Sequence, residues 1–349
     1  MLDLEKHPLL KYLLFGNIYF ANGLQGALVL VIIIVYFTEL DISIATATLV
    51  AGVASIPFTL KFLFGPISDY YIKYGRKPFI IIGGVLLGCS MFPLAFIDPT
   101  VALMPFTLLL FIGVIGIVLF DVAADAWAIQ TTKVNERGKV NSAMFGGMFL
   151  GWAIGSILLS SVAKHFGYNM VFIVTGLIII LTMILPLSTK EKIILKKRPK
   201  IGKLVVLEFK KKNTLLIAFF GLIASLNFGM ILFIIPEYMM NVLKLDVAQI
   251  GLLSSLFPIA TAIGAITGGV ISDKWGRKKT IYVFLIGALI SSSLLVFADS
   301  WQMLAIIYPM VGFLQGGSAF AAIMALFMDI TNPKIAGTQF SILTSITNF

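Results

Sequence analysis

Three ionisable residues stand inside long apolar runs, where a charge is costly and usually has a task. Asp121 and Asp125 lie four residues apart, so on a helix both carboxyls fall on one face. Lys61 lies in another apolar run, eight residues before Asp69, roughly 12 Å along a helix at 1.5 Å per residue. Each allows more than one chemistry. The acids can pair with a base, Asp125 above all with Arg76. They can carry protons, since apolar surroundings favour the neutral form of a carboxyl, or they can extend inertly toward water. Lys61 can reach water along its four-carbon stem or pair with an acid of the Asp121 run.

A second set of charges recurs. Gly65-Pro66-Ile67-Ser68-Asp69 is followed by Gly75-Arg76-Lys77, and Gly269-Val270-Ile271-Ser272-Asp273 by Gly276-Arg277-Lys278-Lys279. The copies lie about 200 residues apart, each between two apolar runs, which marks the chain as two related halves. The first copy has three extra residues between its Asp and its second Gly. A carboxylate at such a place can cap a neighbouring helix, whose N-terminal N–H groups and macrodipole favour an anion. The guanidinium can pair bidentately with an acid on another helix end. Gly65 and Gly269 permit helices to approach closely. Gly65, Asp69, Gly75, Arg76 and Lys77, with Gly269, Asp273, Gly276, Arg277 and Lys278, are therefore read as a latch between helix ends. The plainer alternative is a set of loop charges that only follow membrane topology.

The elements that carry these residues are membrane helices. Hydrophobic residues make up 59% of the 349 and charged residues 12%, about half the charge of a soluble domain; mean hydropathy is +1.02. Apolar runs of about 20 residues suit a ~30 Å hydrocarbon core. They predict spans over 12–37, 46–67, 79–97, 101–128, 141–163 and 169–188. After a basic linker, 189–212, come 214–240, 248–271, 280–298 and 302–328, and an eleventh starts near 337. The fold class is all-α and polytopic, with a six-helix bundle over 1–188 and a second bundle over 213–349. The second is expected to be truncated within its eleventh helix, because Phe340, Leu343 and Ile346 still recur at helical spacing near the end.

Charge distribution sets the orientation. With an inside N-terminus, the inner segments hold 23 of the 26 lysines and arginines, ten of them in the linker; Lys164 and Lys244 lie outside and Lys61 within a span. This is the positive-inside pattern, so the N-terminus and the linker are expected in the cytosol. The net charge of +10 is thereby topology and attraction to anionic lipid, not a nucleic-acid footprint. Cys89, His7 and His165 are scattered, so no metal site is expected.

Spacing of the form Gly-x-x-x-Asp-x-x-Gly-Arg-Lys between two membrane-long helices resembles the signature of the major facilitator superfamily of secondary transporters, and the second copy fits it. Further stretches resemble its branch of muropeptide permeases and acetyl-coenzyme A transporters. Pro57-Phe58-Thr59-Leu60-Lys61-Phe62-Leu63-Phe64-Gly65-Pro66 is similar to that branch's Pro-x-x-x-Lys-Phe-Leu-Trp-Ala-Pro, with Phe64 and Gly65 in place of Trp and Ala. Phe120-Asp121-Val122-Ala123-Ala124-Asp125-Ala126-Trp127 resembles its Gln-Asp-(apolar)-Asp-Ala-Trp, with Phe120 departing from Gln. Glu136-Arg137-Gly138, Asn332-Pro333 and Gly337-Thr338-Gln339-Phe340 extend the likeness into both halves.

The resemblance implies two bundles rocking about a central cavity, with the latch closed in one state and broken in the other. It implies that spans 1, 4, 7 and 10 line the cavity. This singles out Asn22, Gln25, Asn227, Glu237, Tyr308 and Gln315 beside Lys61, Asp121 and Asp125 as substrate or proton-coupling positions, although buried amides also serve simply to link helices. For Lys61 it adds a third role, attraction of an anionic solute. The expected protein is a monomeric carrier in the cell (plasma or inner) membrane, not an enzyme, that moves a small muropeptide-like or coenzyme A ester-like solute. It needs no cofactor, uses the proton as coupling ion, and has the solute and the lipid bilayer as partners, with no nucleic acid. Alternatives are a carrier of a sugar, drug or other metabolite, and a receptor without flux. A primary pump would need a phosphate-binding loop, and no Gly-x-x-x-x-Gly-Lys-Ser/Thr run occurs in the chain.

Epitope tags inserted in the linker or after Lys279 are expected to report the cytosol, and tags near Asp41, Lys164 or Asp299 the outside. One outer tag protected on the cytosolic side would overturn the span count.

Overall fold

The computed structural model describes residues 2–4, 8–193, 199–245 and 247–347. Among them, ten helices are long and apolar enough to cross a membrane. Span 1 is Leu9–Glu39, span 2 Ile44–Leu63, span 3 Lys77–Leu94, span 4 Leu103–Thr131, span 5 Val134–Phe166 and span 6 Tyr168–Ser188. In the second half, span 7 is Lys212–Asn241 and span 8 Val247–Trp275. Span 9 is Arg277–Phe297 and span 10 Trp301–Ile330; span 11 covers Ala336–Thr347. The all-α, polytopic architecture expected from the apolar runs is the one observed.

The stretch over 189–212 is more than a plain basic linker. It begins with a two-residue strand (Thr189–Lys190) paired in parallel with Leu2–Asp3 at the N-terminus. It then contains a short helix, Ile201–Phe209. Ile201, Leu204, Val205 and Phe209 are the apolar side chains of that helix that are partly buried, which the flanking lysines hide in a reading by charge alone.

Backbone irregularities place side chains in the centre. Pro57 within span 2 supplies no N–H and clashes with the preceding turn. The α-helix accordingly ends at Thr59, and the chain tightens into a 3-10 turn over Lys61–Leu63. That turn carries Lys61 against span 4, where it is 5% exposed. Span 1 widens into a π-helical segment over Leu28–Ile32, and span 10 into a longer one over Gly316–Ile323. Such insertions occur mostly at functional positions.

Close seams hold the bundles together. Span 1 lies against span 5 so tightly that a Cβ on Gly147 would collide with the Gly16 carbonyl, and one on Gly151 with the Phe20 carbonyl. The halves meet along two further seams, span 5 with span 8 and span 11 with the inner end of span 2. A Cβ on Gly269 would strike Ser142 Oγ and the Gly138 carbonyl, and one on Gly65 would strike Ser341 Oγ. Gly52, by contrast, faces open space on span 2.

Gly147→Leu is expected to lower the melting temperature of the purified protein by several degrees, because overpacking a tight seam costs about 1–3 kcal/mol. Gly52→Leu should leave it unchanged. A loss as large at Gly52 as at Gly147 would contradict the seam.

Candidate functional site

The first motif closes on the far half of the molecule. After Gly65–Tyr70, a further 3-10 turn, Ile72–Tyr74, and Gly75 at φ +86° reverse the chain. Arg76 returns onto its own loop, fully buried: Nη2 donates to Asp69 Oδ1 at 2.5 Å and Nη1 to Ser68 Oγ at 2.6 Å. The three extra residues of this copy form that turn. Asp69 accepts in addition from the N–H groups of Gly337 (3.1 Å) and Thr338 (2.6 Å) and from the Thr338 hydroxyl (2.6 Å). These groups are the start of span 11, so the carboxylate sits where a helix favours an anion.

The second motif repeats the arrangement with the halves exchanged. Asp273 accepts from the N–H groups of Gly138 (2.9 Å) and Lys139 (2.8 Å) at the start of span 5. Arg277 donates to Asp273 at 2.5 Å and to Asp329, at the inner end of span 10, at 2.9 Å. Arg137 also reaches Asp329, at 3.1 Å, and bonds the Met328 carbonyl at 2.7 Å. Each motif therefore grips the fifth span of the other half. The two copies differ in one respect: Arg277 meets an acid on another helix, whereas Arg76 meets only acid and hydroxyl groups of its own loop. Lys77 donates to the carbonyls of Leu187 and Thr189, and Lys278 lies over the Tyr282 ring at 5.8 Å.

Glu191 and Glu208 bind the linker to the same end of the bundle as the two motifs. Glu191 accepts from the N–H groups of Arg76 (2.5 Å) and Lys77 (2.9 Å), capping span 3. Glu208 accepts from Asn332 at 3.0 Å and pairs with Lys211. Burial opposes its ionisation, but the Lys211 and Asn332 hydrogen bonds prevail and hold its carboxyl below the usual range.

Beyond the latch lies a cavity of about 670 Å³, walled by spans 1, 2, 4 and 5 on one side and by spans 7, 10 and 11 on the other. Lys61, Asp121 and Asp125 are on its wall as one cluster. Lys61 Nζ donates to Asp121 Oδ2 at 2.7 Å and lies 3.6 Å from Asp125 Oδ2. Tyr19 of span 1 donates its hydroxyl to Asp125 Oδ1 at 2.5 Å. Among the described residues, none donates a hydrogen bond to Asp125 Oδ2. All three charges are buried, so one cation serves two carboxyls.

The pairing of Asp125 with Arg76 is thus corrected. Asp125 faces Lys61 and Tyr19, because the Pro57 kink turns Lys61 onto span 4 while Arg76 is held on its own loop. The alternative pairing of Lys61 with a span-4 acid is the one present. Among the described side chains, Asn22 is the one of the positions expected along spans 1, 7 and 10 that faces the cavity. Gln25 is buried away from it. Asn227 accepts from Gln315 and from Ser292, and Tyr308 stacks on Phe257 at 4.5 Å, so these link helices within the second half. Glu237 has its side chain outside the described residues.

Several participants escaped the reading by type and spacing. Tyr19 had no signal, being one aromatic in an apolar run. Asp329 did have one: it is an acid at the inner end of a span, on a face that is otherwise basic. Glu191 and Glu208 stood out in the same way within the basic linker.

Comparison with known proteins places these features in a wider group. The sequence pattern of the Major Facilitator Superfamily matches residues 15–226 and 217–349. The chain is 23% identical over 344 residues to the anhydromuropeptide permease of Escherichia coli K12, covering 94% of this chain and 69% of that one. A proton:xylose symporter structure bound to 6-bromo-6-deoxy-D-glucose superposes with a TM-score of 0.71 at 16% identity, over 97% of this chain and 84% of that chain. The E. coli fucose:proton symporter gives 0.73 at 13%, over 96% and 88%.

Asp69→Asn, made in a Cys89→Ser background with Thr344→Cys placed on the cavity wall, is expected to speed labelling of that cysteine from the cytosolic side at least tenfold. Breaking a buried pair costs about 3–5 kcal/mol, ample to shift a two-state equilibrium. Unchanged labelling would mean that the latch does not hold the inner side closed.

Proposed function

The chain belongs to the major facilitator superfamily and is a multi-pass secondary transporter; from that premise we propose that it carries a small organic anion together with a proton, by alternating access. The observation that carries the reading is the cluster of one lysine and two carboxyls on the cavity wall. With both acids ionised the cluster holds one uncompensated negative charge away from water, and Lys61 is engaged by Asp121 and approached by Asp125. An anion entering in that state meets repulsion and no free cation. One proton on an acid changes both terms. It removes the excess charge, and it leaves Lys61 paired with one ionised carboxyl instead of two, so that the ammonium can also face the incoming anion.

Asp125 is the natural proton site, since Oδ2 lacks a hydrogen-bond partner while Asp121 Oδ2 holds the lysine at 2.7 Å. Tyr19 keeps the Asp125 carboxyl oriented throughout, through Oδ1. Proton and anion thereby favour each other's binding, and such coupling is reciprocal. The same cluster, empty of both, is again tied by its own lysine, so the return step needs no passenger. The latch supplies the switch: both motifs are engaged at the inner ends, leaving the inner side closed, and breaking them opens it. The solute classes suggested by resemblance are muropeptide-like and coenzyme A ester-like, and the cell (plasma or inner) membrane is the expected site.

Two measurements test the reading. In a stabilisation screen of muropeptides, coenzyme A esters, folates and simple carboxylates, the best anion is expected to bind about tenfold more tightly at mildly acidic than at neutral pH. Asp125→Asn should abolish that pH dependence, and Lys61→Gln should weaken the anion at every pH. In proteoliposomes, uptake should fall when the proton gradient is collapsed, and Asp125→Asn should spare exchange. Uptake indifferent to the gradient would sink the coupling.

A further inference from the structure

The two walls of the cavity differ in kind. Every charged group on it, and both amides, Asn22 and Asn141, come from the first half. Among the described residues, the second half contributes no charge and no amide to the cavity; its polar lining side chains there are the hydroxyls of Ser225, Thr344 and Thr347. The rest of that wall is aliphatic, thioether or aromatic, as with Met230, Met324 and Phe340.

The aromatics are continuous. Tyr19, whose hydroxyl holds Asp125, meets Phe145 edge to face at 5.7 Å between centroids. Phe145 meets Phe320 of the π-helical segment at 5.2 Å, and Phe320 meets Phe228 of span 7 at 4.9 Å. This row crosses from the charged cluster to the opposite half. Phe145, Phe228 and Phe320 are only half-buried, leaving part of each side chain toward the cavity. Water over such side chains is readily displaced by an apolar or aromatic ring. A polyhydroxylated body there would exchange water hydrogen bonds for a wall with three hydroxyls, and each unmatched hydroxyl counts against it.

Resting on the anion–proton reading above, we infer that the solute is an amphipathic carboxylate, with its charge directed to Lys61 and a flat aromatic body lying against Phe145, Phe228 and Phe320. A cavity of about 670 Å³ has room for such a molecule. Specificity then divides unevenly between the halves: the first reads the carboxylate and proton and lends Phe145 to the ring, and the second supplies Phe228 and Phe320. Polyhydroxylated acids with no apolar or aromatic body are disfavoured by the second wall.

Binding of 2-naphthoate and gluconate to the purified full chain, followed by thermal stabilisation at mildly acidic pH, tests this directly. Both are monocarboxylates, but their bodies are opposite. The expected result is a Kd for 2-naphthoate at least about tenfold lower than for gluconate. Phe320→Leu and Phe228→Leu, each checked for an unshifted melting temperature without ligand, should raise the naphthoate Kd several-fold and leave gluconate unchanged. Equal binding of the two carboxylates overturns the inference, as does naphthoate affinity untouched in both variants. A third probe, 2-naphthylmethylamine, separates this inference from the reading on which it rests. If it binds as tightly as 2-naphthoate, the anionic pole and the anion–proton reading fail while the aromatic wall stands. If both carboxylates tighten on acidification but gluconate binds better, the carrier reading stands and the aromatic wall fails.

Discussion

One ammonium shared by two carboxyls, away from water, is the constraint on which the rest of the structure depends. A buried charge pair is costly to assemble and costlier to leave incomplete. Here the count is odd, so the cluster of Lys61, Asp121 and Asp125 is balanced only with a proton. Several features otherwise unrelated in the chain serve this arrangement. Pro57 breaks span 2 where Lys61 must face inward. Spacing by four on span 4 places both acids on one side. The tight seam between spans 1 and 5 brings Tyr19 and Phe145 to the same wall.

A second set of buried charges governs the halves as bodies. Asp69 and Asp273 each hold the first N–H groups of a helix in the opposite half. Carboxylate, guanidinium and helix N-terminus satisfy one another only while the halves are in register at the inner side. These contacts are directional, and each depends on the position of the opposite half. The charged cluster lies wholly on one half and the aromatic row crosses between halves, so relative motion of the bundles changes how the cavity walls face each other.

Much of this was legible in the chain. The apolar runs located most of the spans to within a few residues, because the hydrocarbon core sets a minimum apolar length for each; span 5 starts earlier, at Val134. Both copies of the Gly–Asp–Arg motif pointed to helix capping, and the caps are present. The partner of Arg76 was not legible, since the extra turn after Asp69 folds the guanidinium back on its own loop. Nor was the union of Lys61 with both acids, which depends on a proline kink and on helix rotation rather than on spacing. Asn227, Tyr308 and Gln315 contact other helices of the second half, which their spacing alone did not indicate. Residues of low apparent information, such as Tyr19 and Phe320, acquire meaning only from what lies across the cavity.

The central claim is that this cluster takes up one proton, and takes it at Asp125. Infrared difference spectroscopy of the purified protein reads it most directly, through the C=O stretch that a carboxyl shows only when protonated. On acidification the account predicts a single such band from the cavity cluster, absent in Asp125→Asn and retained in Asp121→Asn. A band that persists in Asp125→Asn and vanishes in Asp121→Asn would reassign the proton. No cluster band at any pH would contradict the account.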